Sequence, residues 1–164
     1  MTPTLFFGKG LGDLPEGAKY LRPVAVTGLV GIAIPSSSST TTVSDAGDVT
    51  VERHPHVLKT GFALEYSIPY LQSFVKDVGL REPFNRLIPL VEVALEKPFD
   101  RGGGPTTGTV NPGVLWAGRY VQFGVEAIIP ANGATGGRKG ILFQLHFFLD
   151  DLFPRSVGRP LVGS

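Results

Sequence analysis

The chain contains no cysteine. That excludes disulfide staples, thiolate metal centres and cysteine nucleophiles, and it is compatible with an oxidising compartment. Charge is also scarce. Asp, Glu, Lys and Arg make up 18% of the 164 residues with a formal net charge of +1, against roughly 25% charged residues in an average soluble domain. No basic run exists, so the electrostatic footprint of a nucleic-acid partner is missing. Long apolar runs are absent too. The best segment, residues 23–35, is rich in Val, Ile and Gly and bounded by proline, and it falls well short of the roughly 20 residues a spanning helix needs. The first residues, MTPTLFFGKG, have neither the basic start nor the apolar stretch of a signal peptide, so an exported form is expected to carry its leader ahead of Met1. Glycine and proline, 22 and 14 residues, stay below the roughly 25–30% that marks a disordered chain.

What the chain does contain is alternation. In residues 139–154, KGILFQLHFFLDDLFP, the odd positions Ile141, Phe143, Leu145, Phe147 and Leu149 are all large and apolar, while Gln144, His146 and Asp150 fall on even positions. Side chains of a strand point alternately to opposite faces, so one face is greasy and the other mixed. The same rhythm predicts strands over Leu21–Ile34, Val57–Ser73 and Asn85–Phe99, and a hairpin of Thr109–Gly118 and Tyr120–Pro130 around a Gly118-Arg119 turn. Thr4–Phe7 reads as the tail of one more strand. Residues 8–19, 76–83, 100–108 and 131–139 read as connections, with one helical turn around 76–83. Residues 35–56, opened by SSSSTTT, read as a long loop without secondary structure. The expected fold is all-β: an antiparallel up-and-down meander of about six to seven long strands, forming an incomplete or open part of a transmembrane β-barrel. Residues 1–153 make the barrel portion and 154–164 a polar tail.

A water-soluble sandwich also alternates, and a soluble antiparallel sandwich that binds through its Ser/Thr loop is the competing expectation. Three features favour the membrane. The less greasy face is rich in small residues, among them Ala25, Gly31, Gly61, Ala63, Ser67, Ala94, Gly113, Ala117 and Gly124, which suits a narrow lumen better than a solvated surface. The longer loops alternate with the tighter turn, as in outer-membrane barrels. Tyr20, Tyr70, Trp116 and Tyr120 gather toward one boundary, where amphipathic aromatics anchor at a lipid interface. Against this, Pro23, Pro69, Pro89 and Pro112 fall within the expected strands, and each removes a ladder donor.

The segments GKGLGDLPE and LRPVAVTG, HVLKTGFALEYSIPYLQS, FNRLIPLVEVALEKPF, GTVNPGVLWAG and FFLDDLFPRSVGRPL resemble the C-terminal half of uncharacterised bacterial outer-membrane barrels, commonly labelled transporter-like or grouped with phenol-degradation meta-pathway proteins. The resemblance covers most of the chain but rests on turn and strand signatures that carry no chemistry. It implies a bacterial outer-membrane location, a larger barrel behind a signal peptide, lipid as the surrounding partner, and small hydrophilic or aromatic solutes as cargo. Single-chain bacterial barrels have an even number of strands, at least eight, so six or seven implies a fragment or a sheet completed by another chain.

The polar residues that parity places on the lumen side are Lys59, Glu65, Arg86, Glu92, Glu96, Asn111, Glu126, Gln144 and His146. They read either as a constriction that selects solutes by charge or as an interior network that fixes strand register. Asn111, Glu126 and Gln144 are expected at similar depth. No enzyme is expected and no cofactor. Glu92 and Glu96 lie about 13 Å apart if both sit on one strand face, too far for paired-carboxylate glycoside chemistry. The serines cluster in 36–39 with no His and Asp in evident register. His54 and His56 lack the further ligands of a zinc site, and the Gly8, Gly10, Gly12 spacing lacks the Gly-Lys-Ser/Thr ending of a phosphate loop.

Overall fold

The computed structural model of the chain describes residues 1–45, 47–100 and 102–153; the expected polar tail lies outside them. Nine strands are present among the described residues: β1 (Thr4–Gly10), β2 (Val24–Ala33), β3 (Ser39–Val43), β4 (Val49–Arg53), β5 (Val57–Tyr66), β6 (Leu87–Pro98), β7 (Thr107–Ala117), β8 (Val121–Pro130) and β9 (Gly140–Phe147). Seven of them form one antiparallel meander in the order β1-β2-β5-β6-β7-β8-β9, and β3 and β4 pair only with each other. The strands of the large sheet are 7 to 12 residues long, mostly longer than the 5–6 residues usual in soluble sheets.

Several boundaries differ from the sequence reading, each for a local reason. Thr4–Phe7 continues to Gly10 as a complete strand paired along β2 from Thr4↔Gly31 to Gly10↔Ala25. The pairing is favoured where Gly28 leaves room for the Phe7 ring: a Cβ at 28 would collide with it, and an aromatic laid over a cross-strand glycine covers backbone that would otherwise be bare. Residues after Gly10 do form a connection, closed by a 3-10 helix, Glu16–Leu21. The strand expected over Val57–Ser73 stops at Tyr66, because Ser67 caps a helical turn. Its hydroxyl accepts from the Tyr70 amide at 3.2 Å, and Pro69 occupies the first turn, where its missing N–H costs nothing. Helical turns therefore occupy Ile68–Tyr70, Leu71–Val75 and Phe84–Arg86, on either side of residues 76–83 rather than within them. The tight turn sits one residue later than expected. The Gly118 amide donates to the Val121 carbonyl at 2.9 Å, so Arg119 and Tyr120 are its central residues.

The largest correction concerns residues 35–56. They carry a β-hairpin, with register Thr41↔Val51 and Val43↔Val49. A polar composition hid it. Thr40–Thr42, Val43, Val49 and Val51 are β-branched, which favours extended backbone whatever the polarity. The turn is closed by Ser44 and Asp48, with the Gly47 amide donating back to the Ser44 carbonyl at 2.9 Å and Gly47 at a φ of 86°.

Pro112 and Pro89 do lie inside strands, and the ladders accommodate both. Between β7 and β8 the pairing breaks between Val110↔Ile129 and Gly113↔Glu126, so the ladder is already open at Pro112. Pro89 lies beyond Glu65↔Leu90, the last pair between β5 and β6, and has no β5 donor bond to lose.

The polarity of the sheet is inside out. Phe62, Leu64, Val91, Phe123, Ile141, Phe143, Leu145 and Phe147 share one face by register, and all are exposed, Phe143 to 66%. The opposite face holds the buried side chains Ala63, Leu90, Asn111 and Glu126. No second sheet packs face to face on the apolar side among the described residues.

Candidate functional site

The face opposite the apolar one is built from rungs that cross several strands. One runs Gly31–Lys59–Glu96–Thr107, the next Leu29–Gly61–Ala94–Thr109, and the third Thr27–Ala63–Glu92–Asn111. A fourth joins Ala25, Glu65, Leu90, Gly113, Glu126 and Leu142. Beyond it Gly124 pairs with Gln144 and Gln122 with His146. Eight of the nine residues assigned to this face by parity thus sit on it. Arg86 does not belong to a rung. It ends the 3-10 turn before β6, and its guanidinium is paired with Glu82, because the strand begins at Leu87 and not at Asn85.

The rungs bring some of these groups together. Lys59 Nζ lies 2.8 Å from Glu96 Oε1, a pair open to solvent on both sides, which adds little stability by itself. Gln144 Nε2 donates to Glu126 Oε1 at 2.9 Å. Glu126 is the most deeply covered side chain of the sheet, 1% exposed. It can lie across β7 because its partner there is Gly113, where a Cβ would run into the Glu126 side chain and the Val125 carbonyl. The Glu92 and Glu126 carboxyls lie within hydrogen-bonding reach of each other. Asn111, opposite Glu92 on β7, is 9% exposed. Two buried acceptors are left without partners here, Glu126 Oε2 and Asn111 Oδ1. Buried polar atoms are nearly always satisfied, so an unmet acceptor marks a place that a donor can fill. His146, on the edge strand β9, is exposed and joins none of this.

A cavity of about 440 Å³ lies along β1, β2, β5 and β6, and residues of both faces line it, Phe7 and Phe62 from the apolar one and Phe6, Leu29, Ala63 and Glu92 from the other. Sequence parity located Glu92 but not the cavity. Phe6 was hidden because β1 was expected to be only a strand tail, and Gly113 gives no signal until its partner across the ladder is known.

A second cluster, missed from sequence, lies at the opposite end from the helical turns. His54 and His56, expected to be free in a loop, are both engaged. A ring nitrogen of His54 meets Thr40 Oγ1 at 2.8 Å. The His56 amide donates to Asp100 Oδ2 at 2.7 Å, and its ring Nδ1 lies 2.8 Å from the same oxygen. Asp100 is held below the ordinary carboxylate range, first by the His56 backbone N–H and then by the ring. Ser38, Arg53 and Gly103 complete a cavity of about 450 Å³ around these groups. No three His, Asp or Glu side chains converge to hold a metal among the described residues. In comparisons with known proteins, no protein-family model matches this chain, and neither does any curated protein or solved structure.

Proposed function

We propose that this chain forms part of the wall of a bacterial outer-membrane β-barrel, with the apolar face against lipid and the small-residue face lining a polar lumen. The role is passive transport or structural support of the barrel, and is not catalytic. The observation that carries the reading is the inverted polarity. The most covered side chain is a glutamate, while Phe143 and Phe147 stand 66% and 59% exposed. In water that arrangement is doubly unfavourable, since it leaves a large apolar patch wet and desolvates polar groups. In hydrocarbon around a wet lumen it is the favoured one. Tyr20, Tyr66, Tyr70, Trp116 and Tyr120 add support. They lie at the end of the sheet where β1, β5, β7 and β9 finish, and Tyr66 Oη donates to the Tyr20 carbonyl at 3.1 Å. A ring of amphipathic aromatics at one end suits a membrane–water boundary. Among the described residues β1 and β9 are unpaired edges, so on this reading other strands complete the wall.

Fractionation tests the location and reconstitution tests the pore. The folded protein is expected to need detergent, to migrate faster on gels when unheated, and to give solute flux or conductance in vesicles when the barrel is complete. A monomer that stays soluble in plain buffer overturns the membrane reading. A complete barrel without flux leaves the structural role and removes transport.

A further inference from the structure

We infer that Glu92 and Glu126 form an acid–carboxylate pair, with one proton held between their two carboxyl groups, and that this proton is a pH-sensitive tie across the sheet. The two carboxyls lie within hydrogen-bonding reach of each other, although β7 runs between their strands. They can meet because Glu126 lies across Gly113, where a side chain would collide with it. Two carboxylates have only acceptors to offer each other, and two negative charges that close repel strongly where water is excluded. One hydrogen between them turns the contact into an O–H···O⁻ bond, which is among the stronger kinds. An independent observation points to the same hydrogen. Glu126 is 1% exposed. Its Oε1 accepts from Gln144 Nε2 at 2.9 Å, and its Oε2 has no partner among the described residues. A buried acceptor is rarely left so, and a proton on the facing carboxyl is the donor it lacks. Among the described residues no cation stands in for that proton. Facing the pair are Glu65 from β5, one rung over on the same face, Asn111 from β7 and Gln144 from β9. Lys59 is held by Glu96 at 2.8 Å, and His146 is exposed on the edge strand. The result is a line of hydrogen bonds from Glu92 on β6, over β7, through Glu126 on β8 to Gln144 on β9. While the proton is held, the pair carries one negative charge and the line is whole. When rising pH removes the proton to water, the pair carries two negative charges and the link between β6 and β8 is lost. This goes beyond the reading of the face as a lumen and does not depend on it, since it rests on register and burial alone.

The test is a pH titration of the full chain, folded in micelles and isotope-labelled at the glutamate carboxyl carbons, followed by NMR and by infrared spectroscopy. If the chain needs no detergent, the same spectra are taken in plain buffer, so failure of the membrane reading leaves this test standing. At neutral pH the expected infrared spectrum keeps a protonated-carboxyl band, and the Glu92 and Glu126 resonances move together in two steps as the pH is raised. Either Glu92→Gln or Glu126→Gln is expected to abolish that band, since the new amide donates in place of the proton and the remaining carboxyl ionises alone. Glu65→Gln is expected to leave the band in place. A chain with no protonated carboxyl at neutral pH overturns the inference, and so does a band that survives in both pair variants or disappears in Glu65→Gln. If a variant fails to fold, the titration of the unaltered chain decides alone: two coupled resonances uphold the pair, and independent single steps overturn it.

Discussion

Asp100 ties two loops together through one oxygen, accepting from the His56 amide at 2.7 Å and meeting its ring at 2.8 Å. Because the carboxyl is held low in the folded chain, its contribution to order at this end is fully present above the unfolded value, about 3.9. It is lost as the pH falls through the lower folded value. The His56 amide resonance is therefore expected to move in an acid titration as the carboxyl takes up its proton. In Asp100→Asn the resonance should start at the position that the unaltered chain reaches only in acid, and this carboxyl's step should vanish. A titration curve shared by both forms would show that Asp100 does not hold His56. Neither histidine's engagement could be read in advance, since the two partners, Thr40 and Asp100, are brought in by the β3–β4 hairpin and by the β6–β7 connection.

At the scale of elements, the β3–β4 hairpin pairs with no strand of the large sheet, and its two ends meet where the His54 amide donates to the Ser38 carbonyl at 2.9 Å. Replacing residues 39–53 by a short Gly-Asn turn is expected to leave the sheet folded, with a stability change within about 1 kcal/mol, read from thermal unfolding and gel mobility. A collapse of the sheet would mean that the hairpin braces it. The strands of the meander were legible because a period of two, sustained over long segments such as Gly140–Phe147, has few alternatives. Their ends were less so. Ser67 and Pro69 look like strand residues in an alternating run and act as a cap and a first helical turn, a switch that only local hydrogen bonding decides. On the small-residue face, parity alone put Lys59, Glu65, Glu92, Glu96, Asn111, Glu126, Gln144 and His146 together. Arg86 departed because a strand start shifted by two residues, and parity says nothing of where a chain leaves the sheet. The cavity was not legible, because it depends on which small residues face one another across three ladders.

For the whole molecule, the inverted polarity sets a test between neighbouring residues. Phe143 and Gln144 are adjacent on β9 and point to opposite faces, paired with Val125 and Gly124. In a bilayer, Phe143→Lys is expected to cost about 2–4 kcal/mol if it lies near mid-depth, while Gln144→Lys, beside Glu126, should be tolerated to within about 1 kcal/mol. Reversible unfolding in phospholipid vesicles measures both, and equal costs would remove the distinction between lipid and lumen. The two margins of the sheet carry a last consequence. Successive neighbours alternate in direction across seven strands, so the first and seventh run the same way. Two copies joined around a common axis would meet margin to margin with chains aligned, giving two parallel seams in an otherwise antiparallel cylinder. A cylinder whose every join is antiparallel needs an odd tally of staves from elsewhere, and with seven that makes the even total that bacterial barrels keep.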